Sequence, residues 1–202
     1  GHRHMSNEAK LLIEGQEYVL PVTVGTEGER AVSVAKLREA SKHITLDDGY
    51  GNTGSCLSNI TFIDGDKGVL RYRGYPIEQL AEQSSFVETA FLLINGELPT
   101  RDQLRNFSEG LTENAYLHED MRYHFESFPV TAHPMAILSS MINASSCYYP
   151  GLMGPANLDR FPIHATRLIS QVRTIAAYSY RKSKGFPIIY PKKNLKYTAN
   201  FL

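Results

Sequence analysis

Two cysteines, no net charge and no long apolar run set the first limits on this 202-residue chain. Cys56 and Cys147 stand far apart, with no C-x-x-C or Cys/His ligand spacing, which argues against a disulfide framework or a zinc site and predicts buried or half-buried free thiols. The 21 Lys+Arg are balanced by 21 Asp+Glu, giving a formal net charge of zero. A dedicated nucleic-acid or anionic-membrane binder would carry an excess of positive charge, so neither is expected. No apolar stretch approaches the roughly 20 residues of a membrane span, and no hydrophobic segment follows a basic start as in a secretory signal. A soluble cytoplasmic protein is predicted. Gly1-His2-Arg3-His4 ahead of Met5 reads as a tag remnant, residues 1–5, whose histidines carry no function.

What is present is ordinary globular material, 42% apolar and 21% charged. The length allows one sizeable core with a small appendage. From Lys10 to Val24 the residues alternate around Gly15 and Pro21, predicting two short strands and a turn, with the proline on an edge. Val32 to Val34 gives a further extended piece and Ala35 to Lys42 a short helix, so residues 6–48 form a β-rich region.

The densest local instruction is Ile60 to Leu80, ITFIDGDKGVLRYRGYPIEQL. Two β-rich runs flank Asp64-Gly65-Asp66-Lys67-Gly68, a turn composition that predicts a β-hairpin. Gly74 breaks the second strand and Pro76 suits the first turn of a helix through Ile77 and Leu80. Beyond it, Ser85-x-x-Glu88 and Thr100-x-x-Gln103 are capping boxes, and Asn95-Gly96 is a helix stop. Leu104, Phe107 and Leu111 share one helical face. Leu117 to Phe128 is a short helix, and Pro134 to Tyr148 a longer one whose Met135, Ile137, Met141 and Ile142 predict burial on more than one side. Pro150 to Phe161 reads as a loop. Pro162 opens a helix in which Ile163, Leu168, Ile169, Val172, Ile175, Ala176 and Tyr180 mark the expected buried side. Pro187 to Pro191 is extended. Lys196 to Leu202 begins another helix that stops on Phe201-Leu202 without a cap, which reads as a truncated chain.

Several motifs have plainer explanations than function. Gly49-Tyr50-Gly51-Asn52-Thr53-Gly54 has the letters of a dinucleotide fingerprint, but Leu57 to Ile63 after the glycines reads as strand rather than helix, so a loop is predicted. Asp64 and Asp66 begin like a calcium loop, yet Val69 and Tyr75 occupy the positions that need glycine and glutamate, leaving turn-forming aspartates. His118 and His124 do not share a helical face, and His43, His133 and His164 lack a ligand partner at helical spacing, so no metal site is predicted. His133 suits a helix start or the core. Gly54-Ser55-Cys56-Leu57 lacks the second glycine of a nucleophile elbow. The segment Arg181 to Lys196 holds Arg181, Lys182, Lys184, Lys192, Lys193 and Lys196 with no acid and interleaved tyrosines. That composition suits a phosphate-bearing partner, but cations at a helix C-terminus also answer the helix dipole, which is the preferred reading.

The Ile60 to Leu80 stretch resembles the signature of the citrate synthase family, and His133-Pro134-Met135 is similar to a second family mark. The likeness runs from about Leu11 to the last residue and is strongest to the hexameric type of Gram-negative bacteria. It implies a mainly α fold: part of the all-helical large domain, residues 49–202, behind a small antiparallel β region and a β-hairpin. It implies an acyltransferase that condenses acetyl-CoA with oxaloacetate, as a homodimer or hexamer without a cofactor. The 2-methylcitrate synthases, which take propionyl-CoA, share the fold and are not excluded. In the family the catalytic histidines, aspartate and arginines come from the C-terminal half, so no catalytic residue maps onto these 202 positions. The chain then reads either as the non-catalytic N-terminal part of that enzyme or as a self-associating helical module. Gram-negative members are often inhibited by NADH, and the resemblance places Tyr148, Arg167 and Lys193 on that allosteric pocket. Glu113-Asn114-Ala115 replaces an Arg-His-Thr run, Gln171 a lysine, Phe186 a glutamine and Lys193 an asparagine. An acid near a pyrophosphate is repulsive, so weak or absent NADH binding is expected.

Overall fold

The computed structural model describes residues 7–150 and 160–202. The tag remnant and most of the loop expected between Pro150 and Phe161 lie outside the described residues. The chain divides into two compact units, residues 1–58 and 59–202.

In the first unit β1 (Glu8–Ile13), β2 (Gln16–Val24) and β3 (Arg30–Val32) form an antiparallel sheet in the order β1-β2-β3. Glu14 and Gly15, at φ 51° and 85°, make the two-residue turn that right-handed strand twist favours. Pro21 is not on an edge strand as expected but in the central one. It is tolerated there because its amide-less nitrogen faces past the last rung of β3: Val22 is the final β2 residue paired to Val32, and Pro21 only accepts, from the Ser33 N–H at 2.8 Å. Helix α1 (Leu37–Ser41) comes next, with Leu37 buried and the Ser41 hydroxyl donating to the Leu37 carbonyl. The glycine run forms a loop that opens no helix. Gly49 lies in a short 3-10 turn at φ 73°, and the Asp47 carboxylate accepts from the Asn52 N–H at 2.9 Å. Cys56 is exposed, and so is Cys147 in the second unit, contrary to the expectation of buried thiols.

The second unit opens with the expected hairpin, β4 (Thr61–Asp64) on β5 (Val69–Tyr72), its turn held by Asp64, which accepts from the Lys67 N–H at 3.0 Å. Arg73 and Gly74 both adopt positive φ, so the chain does not merely leave the sheet at Gly74 but reverses into a third short strand, β6 (Tyr75–Pro76). Helices α2 (Ile77–Gln83), α3 (Phe86–Asn95) and α4 (Arg101–Glu113) succeed it, and both predicted capping boxes are formed reciprocally at Ser85/Glu88 and Thr100/Gln103. Gly96 ends α3 at φ 90°, and Arg73 reaches across to donate to the Leu93 carbonyl at 2.7 Å, a cation at the negative end of the helix dipole.

The core joins α5 (Met121–Ser127), α6 (Pro134–Tyr148) and α7 (Phe161–Ser183), where Met121, Phe125, Ile137, Met141, Ile175 and Tyr178 cluster. The Phe125 and Tyr178 rings meet edge to face at 5.7 Å. Each such side chain withdrawn from water contributes about 1.5–3 kcal/mol. His133 starts α6, its Nδ1 accepting from the Met135 N–H. Burial of α6 is one-sided, along Ile137, Met141 and Ser145, while Met135 is 61% exposed.

Helix α7 departs furthest from its pattern. Ile163 and Tyr180, on the expected inner side, are exposed, whereas Ser170, Gln171, Arg173, Thr174 and Ser179 are buried with Ile175 and Tyr178. The reason is hydrogen bonding: Ser170, Gln171, Arg173 and Thr174 donate to backbone carbonyls outside the helix, and Ser179 to the Ile175 carbonyl one turn back. A final short helix, α8 (Tyr197–Phe201), packs on α4 and α7.

Candidate functional site

Of the three positions singled out for ligand binding, Arg167 alone lies where α7 faces the end of α4, beside Asn114. Gly110 permits the close approach, since a Cβ there would come within 3.3 Å of the Thr166 methyl. At the C-terminal end of α4 the last carbonyls have no partner within the helix. Asn114 closes the turn by donating from Nδ2 to the Gly110 carbonyl at 2.8 Å. Ser170 donates to the Leu111 carbonyl, Thr174 to the Ala115 carbonyl at 2.7 Å and Gln171 to the Tyr116 carbonyl at 3.4 Å. Three side chains of α7 therefore satisfy carbonyls in the last turn of α4 and in the turn that follows it.

Arg167 is drawn into the same corner. Its Nε donates to the Asn114 amide oxygen at 3.2 Å, and its guanidinium lies over the Tyr149 ring at 4.6 Å. Tyr149, the aromatic partner of Arg167, was not singled out from the sequence. Tyr148 instead stacks on His118 with centroids 4.6 Å apart, and its hydroxyl shares a 3.0 Å hydrogen bond with Nε2 of His124. Two histidines that share no helical face meet on one tyrosine supplied by α6. Nothing in the local pattern announces that meeting, because it depends on how α5 and α6 pack. Lys193 lies in the exposed turn before α8. Glu113 is exposed, Ala115 is buried, and Phe186 lies beneath the Arg181 guanidinium.

The basic segment beyond α7 is anchored at several points. Arg181 donates to the Pro187 carbonyl, Lys184 sits over the Tyr180 ring, and Tyr190 donates to the Glu119 carboxylate at 2.9 Å. That carboxylate holds the Tyr190 phenol above its ordinary pKa. Burial pushes the Arg173 guanidinium down and the Tyr178 phenol up. Chemically the corner offers a stacked cation and amide acceptors, suited to binding rather than to proton transfer. Among the described residues no three His, Cys, Asp or Glu side chains are placed to share a metal ion, and no helix is long and apolar enough to cross a membrane.

The described residues combine a mainly helical unit with small antiparallel sheets. Residues 49–202 match the family model described as citrate synthase, C-terminal domain. The chain belongs to the citrate synthase family. It is 45% identical over 194 residues to Citrate synthase 1 of Mycobacterium tuberculosis, an alignment covering 96% of this chain and 45% of that protein. The chain therefore spans less than half the length of the curated relatives it matches. Among solved structures, citrate synthase from Thermotoga maritima is 32% identical with a TM-score of 0.66, covering 78% of this chain and 40% of its own. Citrate synthase from Thermoplasma acidophilum, solved as a ternary complex with carboxymethyl coenzyme A and oxaloacetate, reaches a TM-score of 0.71 at 24% identity. It covers 78% of this chain and 41% of its own, and at that identity it supports the fold alone.

Proposed function

We propose that these 202 residues are the N-terminal part of a citrate synthase, the enzyme that condenses the methyl carbon of acetyl-CoA with the ketone of oxaloacetate and hydrolyses the citryl thioester, at the entry to the tricarboxylic acid cycle. The observation that carries this reading is the 45% identity over nearly the whole chain to a citrate synthase. Residues 6–48 are a β-rich region and 49–202 the first part of the helical large domain. The reaction needs a carboxylate base for a weakly acidic methyl proton, a neutral donor for the enolate oxygen and cations that clamp the dicarboxylate. In this reading the 202 residues serve as scaffold, and the reacting groups belong to the remaining half of the parent protein. The parent is a cytoplasmic homo-oligomer of the Gram-negative, hexameric type. Exposed Met135, Ile163, Leu168 and Tyr180 on α6 and α7 supply apolar surface for self-association.

The test is to supply oxaloacetate with acetyl-CoA or propionyl-CoA and to follow loss of the thioester absorbance, since the exposed cysteines would consume a thiol reagent. The parent turns over acetyl-CoA preferentially and the 202-residue chain turns over neither. Preference of the parent for propionyl-CoA would favour the 2-methylcitrate reaction instead, and turnover by the chain alone would overturn the scaffold reading.

For regulation, we propose weak or absent NADH binding at Tyr148, Arg167 and Lys193. Supporting this, Arg167 is already engaged by Asn114 and Tyr149, Gln171 is buried against a backbone carbonyl, and Glu113 is an acid where a cation would serve. Fluorescence titration of the parent should show no saturable micromolar binding. Saturation abolished by Arg167→Ala would refute this.

A further inference from the structure

Asn95-Gly96 is the only Asn-Gly pair in the sequence. In such a pair the backbone nitrogen of the glycine, with no Cβ beside it to block approach, can attack the carboxamide carbon of the asparagine. The structure opposes that attack from both ends. Asn95 is the last residue of α3 and its side chain leans back along the helix, as helical Cα–Cβ bonds direct it. Its Nδ2 donates to the Phe91 carbonyl at 3.0 Å, which holds the carboxamide toward the helix N-terminus while the Gly96 nitrogen lies on the C-terminal side. The Gly96 N–H is itself committed, donating to the Leu92 carbonyl at 2.8 Å. The turn that makes both bonds is fastened rather than free to fray, because Leu92 is fully buried and Arg73 donates to the Leu93 carbonyl at 2.7 Å. The Asn95 side chain is nonetheless exposed to the water and base the reaction needs.

We propose that Asn95 is a latent site of spontaneous covalent modification, deamidation through a succinimide, which the cap of α3 holds silent and which opening of that turn releases. In the opened turn the Gly96 nitrogen gives up its proton to base and bonds to the Asn95 carboxamide carbon. The bond from that carbon to Nδ2 then breaks, and ammonia departs with the proton. Water opens the cyclic imide at either carbonyl: at the side-chain carbon it leaves aspartate, at the backbone carbon isoaspartate, whose main chain runs through the former side chain. Each event consumes a water and releases ammonia, with no change of oxidation state. The product has a structural consequence. A carboxylate at residue 95 lies at the negative end of the α3 dipole, and isoaspartate adds a methylene to the main chain directly before the left-handed Gly96. The register of the Gly96 N–H with the Leu92 carbonyl is lost, and with it the turn whose Leu93 carbonyl Arg73 grips. Deamidation therefore loosens the hold of the hairpin on α3 and records how often that turn has opened.

Incubation of the whole chain at mildly alkaline pH, folded and in guanidinium chloride, with peptide mass spectrometry of the fragment carrying Asn95 and hydrogen exchange at the Gly96 amide, tests the assignment. The unfolded chain should convert at Asn95 before any other asparagine. The folded chain should convert more slowly by at least the roughly tenfold that the charge-assisted Arg73 bond alone supplies. That factor should track the exchange protection of the Gly96 amide, since both processes need the same opening. Asn95→Gln, whose longer side chain closes the imide ring far more slowly, should abolish the conversion. Arg73→Gln should raise the folded rate about tenfold. Should that variant fail to fold, guanidinium below the unfolding midpoint should raise wild-type conversion and Gly96 exchange in step. Equal rates in the folded and unfolded chain, earlier conversion of another asparagine on unfolding, a folded Arg73→Gln chain that converts no faster than wild type, or a conversion rate that stays constant while Gly96 exchange rises would overturn the proposal.

Discussion

Replacing Thr174 by valine is the sharpest test of why α7 turns a polar face inward. The two side chains are nearly isosteric, so the exchange removes one hydroxyl and leaves the volume. Thr174 is 3% exposed and its hydroxyl donates at 2.7 Å to the carbonyl of Ala115, itself 1% exposed. Losing the donor leaves that acceptor unpaired out of reach of water, which costs about 1–3 kcal/mol. Burying a methyl in place of the hydroxyl returns at most about 0.8 kcal/mol. The net destabilisation is therefore about 0.2–2 kcal/mol, and a chain of this length loses about 2–4 °C in Tm per kcal/mol. Thermal melting followed by far-UV circular dichroism should show a drop of up to about 8 °C. Thr174→Ser keeps the donor and should lose less, while Ile163→Thr, at a 61% exposed position, should change stability by under about 0.5 kcal/mol. If Thr174→Val melts at or above the wild-type temperature, the hydroxyl contributes nothing and the argument fails.

Gly96→Ala should lower stability by about 1 kcal/mol, through the left-handed backbone at φ 90° rather than through a clash, because the added Cβ would meet the Arg73 side chain at an ordinary 3.9 Å. A urea midpoint shift with an unchanged slope would establish this, and no shift would refute it. Stability should also fall as pH rises above about 10, the unfolded tyrosine value. Burial holds the Tyr178 phenol above that value, so the folded state retains a proton the unfolded state has released, and the contribution is complete below pH 10 and lost above it. Urea midpoints across the alkaline range should decline more steeply in the wild type than in Tyr178→Phe, and identical slopes would contradict the assignment.

The helix boundaries were the most legible part of the sequence because capping is local. Ser85 with Glu88 and Thr100 with Gln103 carry both partners within one turn, and Gly96 supplies the positive φ on the spot. The hairpin at Asp64 to Gly68 is local in the same sense. What the sequence hid was long-range. Serine, threonine and glutamine on α7 look solvent-facing until the carbonyls of Leu111, Ala115 and Tyr116 are set against them, and no periodicity of apolar residues can report a buried polar stripe. Pro21 looked like an edge residue because the place where β3 ends is set by tertiary pairing. At the candidate site the contact of Arg167 with Tyr149 and the meeting of Tyr148 with His118 and His124 depend on helix packing, which no local pattern reports.

The caps that α7 supplies to α4 come from residues 59 positions further along the chain. In folding terms, Asn114 closes the last turn of α4 locally, but the Leu111 and Ala115 carbonyls gain their side-chain donors only when α7 has docked. Sliding α7 by one turn, about 5.4 Å, would orphan several carbonyls at once, so the hydroxyls fix register as well as contribute stability. The two helices should consequently open together. Amides near Ala115 should exchange at the rate of those around Ile175 and not with the first turn of α4, whose own capping box lets it form early.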